Sequence, residues 1–162
     1  MTYRGAGMIF DNGRTILCGY EPGKRKPALY GIGGKREEGD ANYRETAARE
    51  TIEELFGIQS PPRDILQRVL MVPPRSEEIV HGYVMLRYGF DDLVLMMLSL
   101  RDQQSPYYRA IPTTVSDLVL ARGRVVGSEM SHLCLLPMVS PAPRISSDLA
   151  DDIHRLLSAR AR

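Results

Sequence analysis

Glu50, Glu53 and Glu54 are the residues of this chain whose types and spacing most plainly invite chemistry. On a helix turning about 100° per residue, with Glu50 at 0°, Glu53 and Glu54 fall at roughly 300° and 40°, so the three carboxylates share one face. Like charges at such spacings disfavour a helix by a few tenths of a kcal/mol per pair. Arg44 and Arg49 in the same segment offer one relief, and an ordinary solvated acidic face would result. A hard divalent cation, Mg²⁺ or Mn²⁺, offers the other, because carboxylate oxygens are the ligands it selects. The segment is entered through Gly33-Gly34-Lys35-Arg36, a basic glycine turn whose backbone lets a ligand approach closely. Carboxylates that gather divalent ions beside such a turn suit a phosphate-containing substrate, since the ions neutralise phosphate charge and acidify a bound water. Spacing alone names no reaction.

The elements that must position these residues follow from periodicity. Gly7–Phe10 and Thr15–Cys18 read as strands around Asp11-Asn12-Gly13-Arg14, where Asn-Gly supplies the positive φ angles of a hairpin turn. Glu21–Pro27 reads as a loop, and Ala28–Ile32 as a short strand running into Gly33-Gly34. From Asp40 the period changes to 3.6: Ala41, Ala48, Ile52, Leu55 and Phe56 form an apolar face opposite the glutamates. Asp40 is the expected N-cap and Gly57 the expected left-handed C-terminal residue. Ile65–Val72 and Ile79–Phe90 are expected strands around a turn at Pro73–Glu78, and Leu93–Leu100 fits either a helix or a strand. A short helix over Ser116–Arg122, a buried strand over His132–Val139 and a final helix opened by Ser146-Ser147-Asp148 complete the reading. Strands and helices in mixed order imply an α/β or α+β sandwich.

Within Gly34–Ile58 the sequence resembles the Nudix hydrolase box: a glycine, a spaced acid, then Arg49-Glu50-Thr51-Ile52-Glu53-Glu54 and a closing Gly57-Ile58. Asp40 stands where that box has Glu, Thr51 where it has an aliphatic residue, and two single residues are extra, one before Arg49 and one before Gly57. The resemblance implies one Nudix hydrolase domain over residues 1–162, a Nudix-like α/β/α sandwich with a mixed sheet. It also implies a metal-dependent hydrolase that cuts the pyrophosphate bond of a nucleoside diphosphate linked to another moiety. By position, Glu50, Glu53 and Glu54 would hold Mg²⁺ or Mn²⁺ together with the Gly34 carbonyl. Glu53, Glu54 and Arg49 are the implied catalytic residues, with Arg49 orienting the glutamates and the general base being one glutamate or a carboxylate of a later loop. Glu129 is the first candidate for that loop residue and further metal ligand, ahead of Glu77 and Glu78. Lys35 and Arg36 would meet the substrate phosphate. Two other readings stay open: a viral-type Nudix enzyme that removes the cap of RNA, and a catalytically idle Nudix-fold sensor that binds a nucleotide.

Composition excludes several other classes. The 162 residues carry 21 Lys and Arg against 20 Asp and Glu, a net charge of +1, which does not suit a dedicated nucleic-acid coat. Lys24-Arg25-Lys26 with Arg36 is the only local patch that would track RNA phosphates. The longest apolar run, Leu93–Leu100, is far short of the roughly 20 residues needed to cross a bilayer, and the N-terminus lacks a secretory apolar stretch. Cys18 and Cys134 match no metal-ligand spacing and read as free buried thiols, so a cytoplasmic, intracellular protein is expected. Pro73-Pro74, His81, His132 and Tyr107-Tyr108 are weaker candidates for substrate contacts, and the sequence leaves a homodimer open.

Overall fold

A computed structural model describes residues 3–139 and 144–160. The chain opens with β1 (Gly5–Asp11) and β2 (Thr15–Glu21), joined where Asn12 Oδ1 accepts from the Arg14 and Thr15 backbone N–H groups and Gly13 takes φ 86°. The expected strand over Ala28–Ile32 is two, β3 (Ala28–Tyr30) and β4 (Ile32–Lys35), parted at Gly31. α1 (Tyr43–Phe56) follows, then α2 (Arg63–Leu70), β5 (Ser76–Val80), β6 (Tyr83–Gly89), α3 (Phe90–Ser99), α4 (Val115–Leu120), β7 (His132–Pro137) and α5 (Ser147–Arg160). The strands form one seven-stranded mixed sheet in the order β3-β2-β1-β6-β5, with β4 also on β1 and β7 also on β2. Only β1 and β6 run parallel; the other pairs are antiparallel.

Alternation along the strands separates two cores. Met8, Phe10, Leu17, Leu86 and Tyr88 face the layer of α1, α2, α3 and α4. Ile9, Ile16, Cys18 and Leu136 face α5 through Leu149, Ile153 and Leu156. The result is an α/β/α sandwich of α+β class with a mixed sheet, as expected. No helix among the described residues is long and apolar enough to cross a membrane.

Three expectations are corrected. Ile65–Val72 is not a strand: Ile65, Leu66 and Val69 are buried on one side of α2, a helical spacing that the β-branched composition obscured. The strand expected over Ile79–Phe90 is broken at His81 and Gly82, both with positive φ (49° and 79°), the signature of a two-residue hairpin turn. The N-cap of α1 is Asn42, which accepts from the Arg44 and Glu45 N–H groups, and not Asp40, whose carboxylate meets the buried Arg49. Ala41 consequently lies before the helix, exposed, and Ala47 joins Ala48, Ile52, Leu55 and Phe56 in the core. Gly57 ends the helix at φ 70°, as read. Leu93–Leu100 is helical through Ser99.

Cys18 and Cys134 are unbridged thiols, directly opposite across β2 and β7, their sulfurs 3.1 Å apart. The Cys18 thiol donates to Cys134 and is raised far above the ordinary range by that bond and by burial, while the same bond lowers Cys134. Cys134 is also the less buried of the two. A thiol reagent is expected to modify Cys134 in the native protein and Cys18 only in denaturant. Mass spectrometry of labelled peptides checks this, and equal native labelling of both contradicts it.

Under α5, burial pushes the Asp152 carboxyl from about 3.8 up to about 6, with the Arg155 guanidinium only partly opposing it and Asp148, Glu78 and Asp151 adding to it. The folded state therefore prefers the protonated form. This contribution is present in full below about pH 4 and lost as the pH rises through about 6. Asp152→Asn is expected to match wild type at low pH and to be more stable by about 1–3 kcal/mol above pH 7. Thermal melts across that range check it; a difference independent of pH contradicts it.

Candidate active site

α1 presents its carboxylates beside β4 because one guanidinium is buried between them. Arg49 is 6% exposed. Its Nε and Nη2 donate to the two oxygens of Asp40 at 3.0 and 3.1 Å. Nη2 also reaches the Lys35 carbonyl at 2.9 Å, and Nη1 donates to Glu50 Oε1 at 2.9 Å and Glu53 Oε2 at 3.1 Å. All five N–H donors of the fork are thus engaged. Burial alone would favour a neutral guanidine; Asp40 and Glu50 outweigh it and hold Arg49 charged, above its ordinary range. Burial likewise would raise Asp40, but the Arg49 fork, the Glu37 N–H and the Thr46 hydroxyl bring it below the usual carboxylate range.

Two glycines let the sheet come this close. Gly33 has φ 145°, and its N–H donates to Glu54 Oε2 at 2.9 Å. A Cβ there would run into the Tyr83 hydroxyl and lie 2.8 Å from the Ala6 carbonyl. At Gly34 the place of a Cβ is taken by the Glu50 carboxyl, with Oε2 at 2.6 Å. The Gly34 carbonyl lies against Gly5 of β1.

The three glutamates differ in state. Glu54 is 8% exposed, and burial drives its carboxyl well above the ordinary range; the Gly33 N–H opposes this, while Glu50, Glu21 and Glu129 add to it. Burial raises Glu50 too, against Arg49. Glu53 accepts from Arg49 and, through Oε1, from the Ser60 N–H at 3.0 Å. Glu50 Oε2 and Glu54 Oε1 make no hydrogen bond among the described residues.

These residues wall a cavity of about 300 Å³ together with Gln59, Tyr107, Arg122, Gly127, Ser128, Glu129 and Met130. The structure thus brings Glu129 to Glu50, Glu53 and Glu54 across 75 residues or more of sequence. Lys24 holds Glu129 at 2.7 Å and Glu21 at 3.0 Å, and an adjoining cavity of about 470 Å³ is lined by Glu21, Gly23, Lys24 and the same loop. Burial raises the Glu21 carboxyl against the pull of Lys24. Among the described residues, no three His, Cys, Asp or Glu side chains stand as a ready-made metal ligand set. The donor chemistry nevertheless fits a hard divalent ion: carboxylates only, two with an unbonded oxygen, beside a glycine with no side chain in the way.

Lys35 and Arg36 do not line the cavity. Lys35 contributes its carbonyl to Arg49, and the Arg36 guanidinium sits 5.1 Å over the Tyr3 ring. Glu77 and Glu78 are also elsewhere: Glu77 pairs with Arg44 and accepts from Tyr43, and Glu78 faces Arg155. His81 is an exposed turn residue and His132 bonds Ser131 at the start of β7. Of the two tyrosines only Tyr107 lines the cavity; Tyr108 is buried against Phe56.

Sequence reasoning missed Glu21 and Arg122. Arg122 follows α4, is 5% exposed, and donates through Nη2 to the carbonyls of Glu54 (3.2 Å) and Met130 (2.7 Å). Burial lowers its pKa, with Tyr108, Tyr107 and Glu54 opposing. No local pattern marks either residue, since each gains its meaning from a contact far along the chain.

No protein-family model and no curated protein matches the chain. Among solved structures, a bifunctional NMN adenylyltransferase/ADP ribose pyrophosphatase from Francisella tularensis, complexed with AMP and a manganese ion, is similar over 98% of this chain and 42% of its own, with TM-score 0.56 and 14% identity. A second structure of the Francisella protein aligns over 98% and 41%, with TM-score 0.55 and 16% identity. A NUDIX-family hydrolase from Clostridium perfringens aligns over 98% and 99% of the two chains with TM-score 0.43 and 12% identity, too loosely to weigh here. This chain spans about two fifths of the length of the Francisella protein. The likeness concerns the fold alone, the mixed-sheet α+β sandwich described above.

Proposed function

We propose that this chain is a metal-dependent pyrophosphohydrolase of the Nudix type, acting on a nucleoside diphosphate linked to another moiety. The observation that carries the reading is the convergence of Glu50, Glu53, Glu54 and Glu129 on one cavity behind a glycine turn. The box resemblance supports it, as does the shared fold with a protein described as an ADP ribose pyrophosphatase. Glu50, through its unbonded Oε2, with Glu53, Glu129 and the Gly34 backbone, would hold Mg²⁺ or Mn²⁺. Such an ion supplies phosphate charge neutralisation and a more acidic water.

The chain's own residues do the rest. Arg49 keeps Glu50 and Glu53 in fixed rotamers, so little reorganisation is required when substrate arrives. Glu54 is the general base: its buried carboxyl has a raised proton affinity, and Oε1 is free to take a proton from the attacking water. The Gly33 N–H on Oε2 aims that oxygen. Lys24 tethers Glu129 at the mouth, near the loop that closes the far wall. The substrate is a nucleotide-type small molecule, and the domain works as one unit over residues 1–162.

With Mg²⁺, the wild type is expected to hydrolyse at least one of ADP-ribose, dinucleoside polyphosphates, nucleoside triphosphates or capped RNA. Glu54→Gln is expected to lower kcat by about 10²–10⁴ with its fold intact. Normal turnover by that variant removes Glu54 from its role. Absence of turnover by the wild type overturns the hydrolase and leaves the nucleotide-binding sensor.

Gly34→Ala tests the close approach separately. The atoms it meets are the far end of the flexible Glu50 side chain, so stability should fall by less than about 1 kcal/mol while turnover falls at least tenfold. A variant as active as wild type would mean that Glu50 need not lie over this turn.

A further inference from the structure

Arg122 has a property that a purely structural arginine would not need. Only Nη2 has acceptors, the carbonyls of Glu54 and Met130; Nε and Nη1 are buried and meet none among the described residues. An unmet buried donor costs about 1–3 kcal/mol, more when charged, so it calls for an explanation. Among the described residues no carboxylate pairs with the guanidinium, and Glu54 accepts from it through its main-chain carbonyl. Its central carbon lies over the Tyr107 ring, 4.7 Å from the centroid. Arg122 is 5% exposed and is part of the cavity wall.

That cavity is otherwise acidic, with Glu50, Glu53, Glu54 and Glu129. Among the described residues Arg122 is the one cation in its lining, and Tyr107, Gln59 and Met130 are neutral. An anionic substrate held there by divalent ions on the glutamates would still present phosphate oxygens to the other wall. With Nη2 engaged, such an oxygen is met by a single N–H, from Nη1 or Nε, whose direction the planar guanidinium fixes as an ammonium does not. The link to the Glu54 carbonyl ties this wall to the same turn of α1 that carries the glutamates.

We propose that Arg122 is the phosphate-receiving residue of this site, its guanidinium donating to a substrate phosphate in the cavity that also carries Glu50, Glu53 and Glu54. The proposal rests on the hydrolase reading for its substrate class, a diphosphate-bridged molecule, and its test is independent of turnover.

The probe is methylenediphosphonate, whose P–C–P bridge resists hydrolysis, titrated calorimetrically with Mg²⁺ present into wild type, Arg122→Lys and Arg122→Met. Binding is expected to weaken at least tenfold in Arg122→Met and by less in Arg122→Lys, with Mn²⁺ affinity in the absence of the probe unchanged in both. Where turnover is measurable, KM rises more than kcat falls. Failure of the wild type to bind the probe overturns the proposal, as does unaltered binding by Arg122→Met. A parallel loss of Mn²⁺ affinity also overturns it, because Arg122 would then only brace the end of α1. Should Arg122→Met not fold, Arg122→Lys alone decides: unchanged probe affinity overturns the proposal, and weakened affinity with normal Mn²⁺ binding supports it. Wild type that binds the probe but hydrolyses nothing refutes the hydrolase and leaves the phosphate site standing.

Discussion

The structure around the cavity depends on one buried guanidinium. Arg49 gathers Asp40, Glu50, Glu53 and the Lys35 carbonyl around five donors, and without it three carboxylates on neighbouring turns of α1 would repel one another at the protein's interior edge. Removing one member of such a cluster leaves charges that neither water nor a partner can satisfy, which costs several kcal/mol. The arrangement couples stability to site geometry, because the contacts that permit burial of Arg49 also hold the glutamate rotamers. It also ties the loop before α1 to the helix through Asp40, whose Oδ2 meets the Thr46 hydroxyl and the Glu37 N–H.

The second constraint is steric. β1 shares one edge between β2, near Asp11, and β4, along Gly5–Met8, so Gly33 and Gly34, expected in a turn, are strand residues that rest on the middle of the sheet. Tyr83 on β6 fills the space beside Gly33, and the Glu50 carboxyl fills the space beside Gly34. Side chains at either glycine would push α1 from the sheet or its carboxylate from the turn. The far side of the cavity comes from later sequence: Tyr107 in the connection after α3, Arg122 after α4, and Gly127–Met130 before β7. Helix α1 thus supplies Glu50, Glu53 and Glu54, and the later segments supply Glu129, the Arg122 cation and the neutral residues of the far wall.

Much of the fold was legible because it is local. Asn12-Gly13 can make a tight hairpin with little help from elsewhere, and the spacing of Ala48, Ile52, Leu55 and Phe56 leaves a helix only one face to bury. Gly57 ends that helix because it alone of its neighbours takes φ 70° without strain. Two misreadings were also local: Ile65, Leu66 and Val69 carry helical spacing under a β-rich composition, and His81-Gly82 is a hairpin signal inside what reads as one long strand. The choice of Asn42 over Asp40 as cap is different. Both side chains can cap, and only the position of Arg49 in the folded protein assigns Asp40 elsewhere.

The amino-acid order by itself determined the acidic face of α1, the paired glycines before it and the Gly57 end of the helix, since each follows from spacing within a few residues. Tertiary structure alone decided that Lys35 and Arg36 lie off the cavity, that Glu129 and Glu21 share Lys24, and that Arg122 stands with two unmet donors in the cavity wall. Charge and burial at those positions arise from contacts spanning up to 108 residues, between Glu21 and Glu129, which no local pattern encodes. A side chain's chemistry is set by what surrounds it, and here most of those surroundings come from elsewhere in the chain.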